Sequence, residues 1–229
     1  LARRGSTLTP TLEFDPRLGT TGRYVNAQTG KMIPKQVIQD QLEKQIEIAR
    51  RQMTNISADF ANGEMSLATW RNQMAERMKI IHTQSAALSR GGWAQMTQSD
   101  WGAVGRISRD QYKFLDQFAL DIQSGKQPLH RLDGELNGNF MRRVKLYADA
   151  GNSTKSEMER RQAKINQLTH EMRVLDPSAE HCQCCLLNAE KWALIGTLPK
   201  LGACECSTND RCHFIFGRRN EAGEIVEVK

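Results

Sequence analysis

Residues 34–63 read PKQVIQDQLEKQIEIARRQMTNISADFANG. Apolar side chains fall at Ile38, Leu42, Ile46, Ala49, Met53, Ile56 and Phe60, spaced 4, 4, 3, 4, 3 and 4 residues apart. That is a single stripe at helical period, with Gln, Glu, Lys and Arg on the other face. Pro34 suits the first helical position, where a missing N–H costs nothing. Gly63 is free to take the positive φ that closes a helix. The spacing therefore predicts a helix over 35–61.

The pattern continues downstream. Ser66 caps a second helix over 67–90, whose stripe is Leu67, Trp70, Met74, Met78, Ile81, Ser85 and Leu88. Two helices of similar length with a short loop should pack as an antiparallel hairpin. Met74 and Met78 read as core filler, and His82 as a surface or structural residue rather than a ligand. A third helix is expected over 97–124, with Thr97 or Ser99 as cap and Tyr112, Leu115, Phe118, Ala119 and Ile122 inward. A fourth runs from about Asp133 to Ala150 with Leu136, Phe140, Val144 and Tyr147 inward. Trp93 and Trp101 read as core, since Trp is buried on average.

Both ends of the chain differ from this helical centre. Pro10, Pro16 and Pro34 punctuate residues 1–34, with Gly19, Gly22 and Gly30 between them. This segment reads as an extended arm, with a short strand near Gly22–Asn26. Gly151-Asn152-Ser153 reads as a break, and Thr154 with Glu157 as a capping box. A charged fifth helix is then expected over about 155–174, ending before Asp176-Pro177. After Pro177 helical periodicity is lost. Phe214-Ile215-Phe216, the turn Asn220–Gly223 and Ile225–Val228 suggest a β-hairpin. The expected fold is mainly α. It comprises an extended arm (1–34), an elongated helical hairpin or bundle (35–150), a connector helix (151–176) and a small cysteine-rich zinc-knuckle lobe with a β-hairpin (177–229).

Composition narrows the classes of function. The 229 residues are 39% hydrophobic and 25% charged, enough apolar material for a core and against wholesale disorder. No stretch approaches the ~18 apolar residues of a membrane span, so no membrane partner is expected. Leu1-Ala2-Arg3-Arg4-Gly5 has no apolar run after its basic pair and does not read as a signal peptide; a first residue of Leu is compatible with removed upstream residues. The net charge of +6 is spread out: +3 over 1–34, +5 over 35–175 and −2 over 176–229. That distribution reads as a mildly basic surface rather than a concentrated nucleic-acid-binding element.

All six cysteines lie between Cys182 and Cys212. A disulfide-stapled secreted protein would spread them along the chain, whereas clustering points to a local metal site. Cys182 and Cys185 form a C-x2-C knuckle, the spacing at which two thiolates converge on one ion. Cys206 and Cys212 are the expected second pair, giving C-x2-C-x20-C-x5-C; Cys204 and His213 are the possible substitutes. Four thiolates close a tetrahedral site, so the expected role is one structural zinc per chain, supplying stability that a small lobe cannot draw from its core. The competing arrangement is three disulfides or free thiols. No catalytic residue is expected. The chain has no G-x-S-x-G, P-loop or H-E-x-x-H motif, and the cysteines lack the His-x-Glu of a zinc deaminase.

A larger pattern surrounds the cysteines. Arg173-Val174-Leu175-Asp176-Pro177 is followed by His181-Cys182-x-x-Cys185, Trp192, Gly196-Thr197-Leu198-Pro199 and Gly202. Cys206-x-x-Asn209-x-Arg211-Cys212-x-Phe214 completes it. This resembles the C-terminal region of tailed-bacteriophage head morphogenesis proteins, the minor head proteins of the Mu F-like class, which often end in a C-x-x-C knuckle, a Leu-Pro turn and an Asn-Cys-Arg-Cys box. Upstream, Trp70, Gly91-Gly92, Gln111-Tyr112-x-x-Leu115, Phe118-Ala119 and Tyr147-Ala148-x-Ala150-Gly151 look similar to phage proteins encoded near the portal gene. Where the family's box has its first cysteine, this chain has Asp210. Either Cys206 and Cys212 suffice, or Cys204 replaces a lost ligand.

The resemblance implies a virion protein, made in the host cytoplasm and acting in head assembly. Its implied partners are the portal or the major capsid protein, in a symmetric assembly of several copies, near packaged DNA contacted without sequence readout. The alternative is a zinc-containing nucleic-acid-binding protein. A nuclease or hydrolase is a third reading, and it would need an open coordination position on the metal.

Overall fold

A computed structural model describes residues 12–15, 23–26, 29–205 and 212–228 of the chain. It is mainly helical, with a small C-terminal β region. The chain divides into two compact units. One comprises residues 40–85 and 97–151; the other comprises 1–39, 86–96 and 152–229.

The first unit is helical. Helices α1 (Lys35–Ala61) and α2 (Leu67–Ser89) follow the expected spans. Ser66 Oγ accepts the N–H of Thr69, as a capping serine should. The Trp70 ring stacks on Phe60 at 5.3 Å between centroids, and Trp70 Nε1 donates to Ser57 Oγ at 2.9 Å. Further along, Arg77 Nη1 donates to Gln52 Oε1. Residue numbers rise on one helix as they fall on the other, so the pair is antiparallel.

Helix α3 (Gln98–Gln123) begins with a capping box between Thr97 and Asp100. It also runs antiparallel to α2: Arg71 pairs with Asp116, and the Tyr112 hydroxyl donates to the Ala75 carbonyl. Helix α4 (Gly138–Asp149) starts later than the expected Asp133. Residues 124–137 instead form a turn closed by a bridge between His130 and Leu136, and the Asn137 side chain caps α4 by accepting from the N–H groups of Asn139 and Phe140. Phe118 joins the centre from α3, edge-on to Trp70 at 5.4 Å and stacked with Tyr147 at 6.0 Å. Trp101, expected in the core, is 40% exposed.

His82 is fully buried on α2. Burial lowers its pKa from 6.5 to about 4, because an imidazolium there would lose its hydration. The neutral form is the one the fold holds. Its contribution is intact above pH 6.5, erodes as pH falls below that value, and is gone below about 4. Linkage puts the loss at about 2 kcal/mol by pH 5. Urea unfolding at pH 7.5 and 5 should show that loss in the wild type and not in His82→Gln; equal losses in both would contradict it.

Gly151 was expected to break the chain, but it opens helix α5 (Gly151–Ile165). Its role is close packing: an added Cβ would stand 2.8 Å from Ser85 Oγ and 3.1 Å from Ile81 Cγ1. Alanine is the better helix former, yet Gly151→Ala is expected to cost about 1–3 kcal/mol through overpacking. A neutral or stabilising result in chemical denaturation would show that the approach is looser than this.

The second unit is built around two sheets. Within the arm expected over 1–34, the described residues include three short strands. Strands β1 (Leu12–Asp15), β2 (Arg23–Asn26) and β3 (Met32–Ile33) pair antiparallel in that order. Tyr24 anchors the meander: its hydroxyl donates to the Ser89 carbonyl at 2.7 Å, and burial pushes its pKa up.

The connector helix expected to reach 174 stops at Ile165. Gln167 takes a left-handed φ of 59°; its N–H bonds to the Lys164 carbonyl, and the N–H of Leu168 to that of Ala163. This is a Schellman ending, built without the usual glycine. Thr154, expected as a cap, lies inside α5 because the helix already begins at Gly151, and it is buried. Residues His170–Val174 form β4, an inner strand of a four-stranded antiparallel sheet. The remaining strands are β5 (Trp192–Leu194), β6 (His213–Arg219) and β7 (Ile225–Glu227), in the order β5-β4-β6-β7. Strands β6 and β7 are the expected hairpin, its turn closed by the N–H of Gly223 on the Asn220 carbonyl. Gly217 on β6 leaves room for the Trp192 ring, which a Cβ would meet at 3.0 Å.

Candidate metal centre

Strand β4 carries two charged side chains into the interior. Successive residues of a strand point to opposite faces, so Glu171 and Arg173 share one face, and both are fully buried. Arg160 of α5 grips the Glu171 carboxylate through Nε at 2.7 Å and Nη2 at 2.8 Å. Glu171 Oε1 also accepts from the backbone N–H groups of Gly196 and Leu198, while Arg160 Nη2 donates to the Leu198 carbonyl. Arg173 Nη2 donates to the Pro199 carbonyl at 2.7 Å. The Gly196–Pro199 turn is thus held by three buried side chains through its backbone. Phe214 of β6 supports the arrangement, with the Arg160 guanidinium 4.1 Å and that of Arg173 5.3 Å from its ring centroid.

The other terminal nitrogen of Arg173, Nη1, reaches Cys185 Sγ at 3.4 Å. Cys185 belongs to α6 (Gln183–Asn188), a short helix with Cys182 at its N-cap. One turn therefore separates the two knuckle sulfurs. Cys204 arrives from the loop after the Gly196–Pro199 turn. The Sγ atoms of Cys182, Cys185 and Cys204 all lie within 4.8 Å of one another, so this cluster can hold a metal ion. Among the described residues it is the one grouping of three or more such side chains at that spacing. A buried guanidinium at hydrogen-bond distance from a ligand sulfur favours negative charge there, as outer partners of metal ligands do.

The sequence-derived ligands fall in different places. Cys182 and Cys185 come together. Cys204, reserved as a substitute, joins them. Cys212 is buried in the same apolar cluster as Cys185 and Cys204, walled by Leu175 and Leu201. His213 is the next residue along β6 and is exposed, as alternation requires. Cys206 lies outside the described residues.

Two further residues escaped the sequence reading as parts of the centre. Cys184 is joined to Cys204 by a disulfide; the four-ligand template gave it no place. His181 Nδ1 lies 3.8 Å from Cys212 Sγ, and Nε2 lies 2.8 Å from the Asp176 carbonyl. A carbonyl only accepts, so Nε2 donates to it and Nδ1 faces the sulfur. Its position beside the knuckle was the available signal. Glu205 borders the cluster; hydrogen bonds from the Cys182 side chain and the Cys184 backbone hold its carboxyl below the usual range.

Fold and site together define a mainly helical protein with a cysteine cluster able to hold a metal ion. No protein-family model, curated protein or solved structure matches the chain.

Proposed function

We propose that the chain is a structural minor head protein of a tailed phage, bound at the portal vertex or the inner capsid and acting in head assembly. Its C-terminal lobe is held by one structural zinc ion. The observation that carries this reading is the set of contacts made by Arg173. This side chain joins Cys185 of the knuckle, Pro199 of the Leu-Pro turn and Phe214 beside the final cysteine. The phrases on which the resemblance rests thus serve one structural device, a small lobe assembled around a cysteine cluster.

In this reading Cys182, Cys185 and Cys204 hold the zinc, with Cys212 as the fourth ligand from the same buried cluster. The ion supplies a cross-link and charge balance for the thiolates. Four sulfurs leave no open position for water or substrate, which favours a structural role over a catalytic one. Helices with short connections make the rest a scaffold for neighbouring subunits.

The test is quantitative mass spectrometry of gradient-purified particles of the phage that encodes the chain. A fixed ratio to the portal supports a place at one vertex, and a ratio to the capsid protein supports a shell component. Absence from proheads and virions alike overturns the proposal.

A further inference from the structure

Cys204 occupies two roles at once in this geometry. Its sulfur is bonded to Cys184, and it also stands within ligand distance of Cys182 and Cys185. One sulfur cannot hold a disulfide partner and act as a full thiolate ligand together. We infer that Cys204 is an exchangeable ligand, so that the Cys184–Cys204 disulfide and the bound metal ion are alternative states of the same lobe. The inference rests on the metal-holding reading proposed above and adds a redox sensitivity to it.

The surroundings favour exchange with little movement. Cys204 lies within ligand distance of the knuckle sulfurs even while bonded to Cys184. Opening the disulfide therefore leaves it in place to join them. Cys184 is one residue before Cys185 on α6, and its carbonyl is held by Asn188 Nδ2 at 2.8 Å. The two candidate partners of Cys204 thus ride on one short helix. Cys182 and Cys185 keep their places beside Cys204 in the disulfide state, so the site is reduced by one ligand rather than dismantled.

The step balances with a peroxide as oxidant. The Cys184 thiol, the Cys204 thiolate, one proton and one hydrogen peroxide give the disulfide and two waters. The two sulfurs lose one electron each, the peroxide oxygens gain them, and the metal ion leaves as its coordination falls by one thiolate. In the reverse direction a dithiol reductant takes up the disulfide through a mixed disulfide, is itself oxidised to a cyclic disulfide, and returns Cys204 to the metal.

The experiment uses the full chain, reduced and loaded with zinc. Zinc release is followed with a chromogenic chelator as hydrogen peroxide is added, and the disulfides formed are mapped by peptide mass spectrometry. The wild type is expected to release its zinc as the Cys184–Cys204 peptide appears. Cys184→Ser should bind the same equivalent of zinc and release it on the order of tenfold more slowly, because the thiol already in bonding position on Cys204 is gone. Wild-type protein carrying an intact Cys184–Cys204 disulfide together with a full equivalent of zinc would overturn the inference, and this measurement needs no variant. Equal release rates in wild type and Cys184→Ser would overturn it as well. If the reduced wild type takes up no metal, the zinc reading itself fails along with this one. Normal uptake without disulfide-linked release removes only the switch.

Discussion

Reduced protein titrated with zinc is expected to take up one equivalent per chain, and Cys185→Ser to take up none with comparable affinity. Cys185 is the ligand to choose because it is the most enclosed of the cluster, with 1% of its surface exposed and the Arg173 guanidinium on its sulfur. Serine keeps the size but replaces a soft thiolate with a hydroxyl that zinc binds poorly. Stability should follow occupancy. A ligand present at a thousand times its dissociation constant stabilises the folded state by about 4 kcal/mol. For a chain of this size that corresponds to a fall in melting temperature of roughly 8–16 °C on chelation. Calorimetry with and without a chelator, in a reducing buffer, measures it. An unchanged transition in a protein with six titratable thiols and no metal would end the zinc reading.

The second large effect is expected at the buried ion pair beneath the knuckle. Glu171→Gln leaves the Arg160 guanidinium buried with its partner's negative charge removed, and weakens the bonds from Gly196 and Leu198. Breaking one side of such a pair costs about 3–5 kcal/mol, whereas replacing both sides with apolar groups is often close to neutral. Arg160→Met and Glu171→Gln should therefore each be severe alone. The double change Arg160→Met with Glu171→Leu should regain much of the loss. A urea-denaturation double-mutant cycle of Arg160→Met, Glu171→Leu and their combination gives the coupling directly. Single-variant costs below about 1 kcal/mol would show that the turn is held by something else. Zinc uptake by these variants adds a second readout, because the turn that Glu171 holds leads into Cys204.

The helical part of this architecture was legible because its signals are local. The stripe from Ile38 to Phe60, the cap at Ser66 and the cap at Thr97 each sit within one turn of the element they define. The strand β4 was hidden for two physical reasons. Its preceding helix ends on Gln167 in a left-handed conformation, where a glycine would have announced the stop. Its buried positions are His170, Glu171 and Arg173, all polar or charged, so the alternation of the sequence points the apolar residues the wrong way. Only partners distant in the chain, Arg160 and the Gly196–Pro199 backbone, make those charges tolerable inside. Similarly, Gly151 carries no mark in the sequence to separate a helix breaker from a packing contact.

At the cysteine cluster the knuckle was legible, Cys212 and the substitute Cys204 were named, and the place of Cys184 was not. Cys182 and Cys185 sit on one turn of chain, so their convergence is dictated by spacing. The third sulfur depends on where a long loop delivers it. Eighteen residues separate Cys185 from Cys204, and the course of that loop is fixed by Glu171 and Arg173 gripping Gly196–Pro199. Spacing named Cys204 as a substitute, and the fold delivers it to the knuckle, while Cys206 lies outside the described residues.

The way the chain is shared between its two units bears on the order of events at the ribosome. Both stretches of the helical unit, 40–85 and 97–151, emerge before residue 152. That unit can condense while its companion still lacks 152–229. Translation at ~5–20 residues per second leaves the early pieces, 1–39 and 86–96, waiting roughly 4–16 s for these 78 residues. The cysteines all arrive within that last stretch. Closure of the lobe thus waits on residues that emerge after the whole helical unit, and its cysteines meet their partners only once that unit is free to have formed.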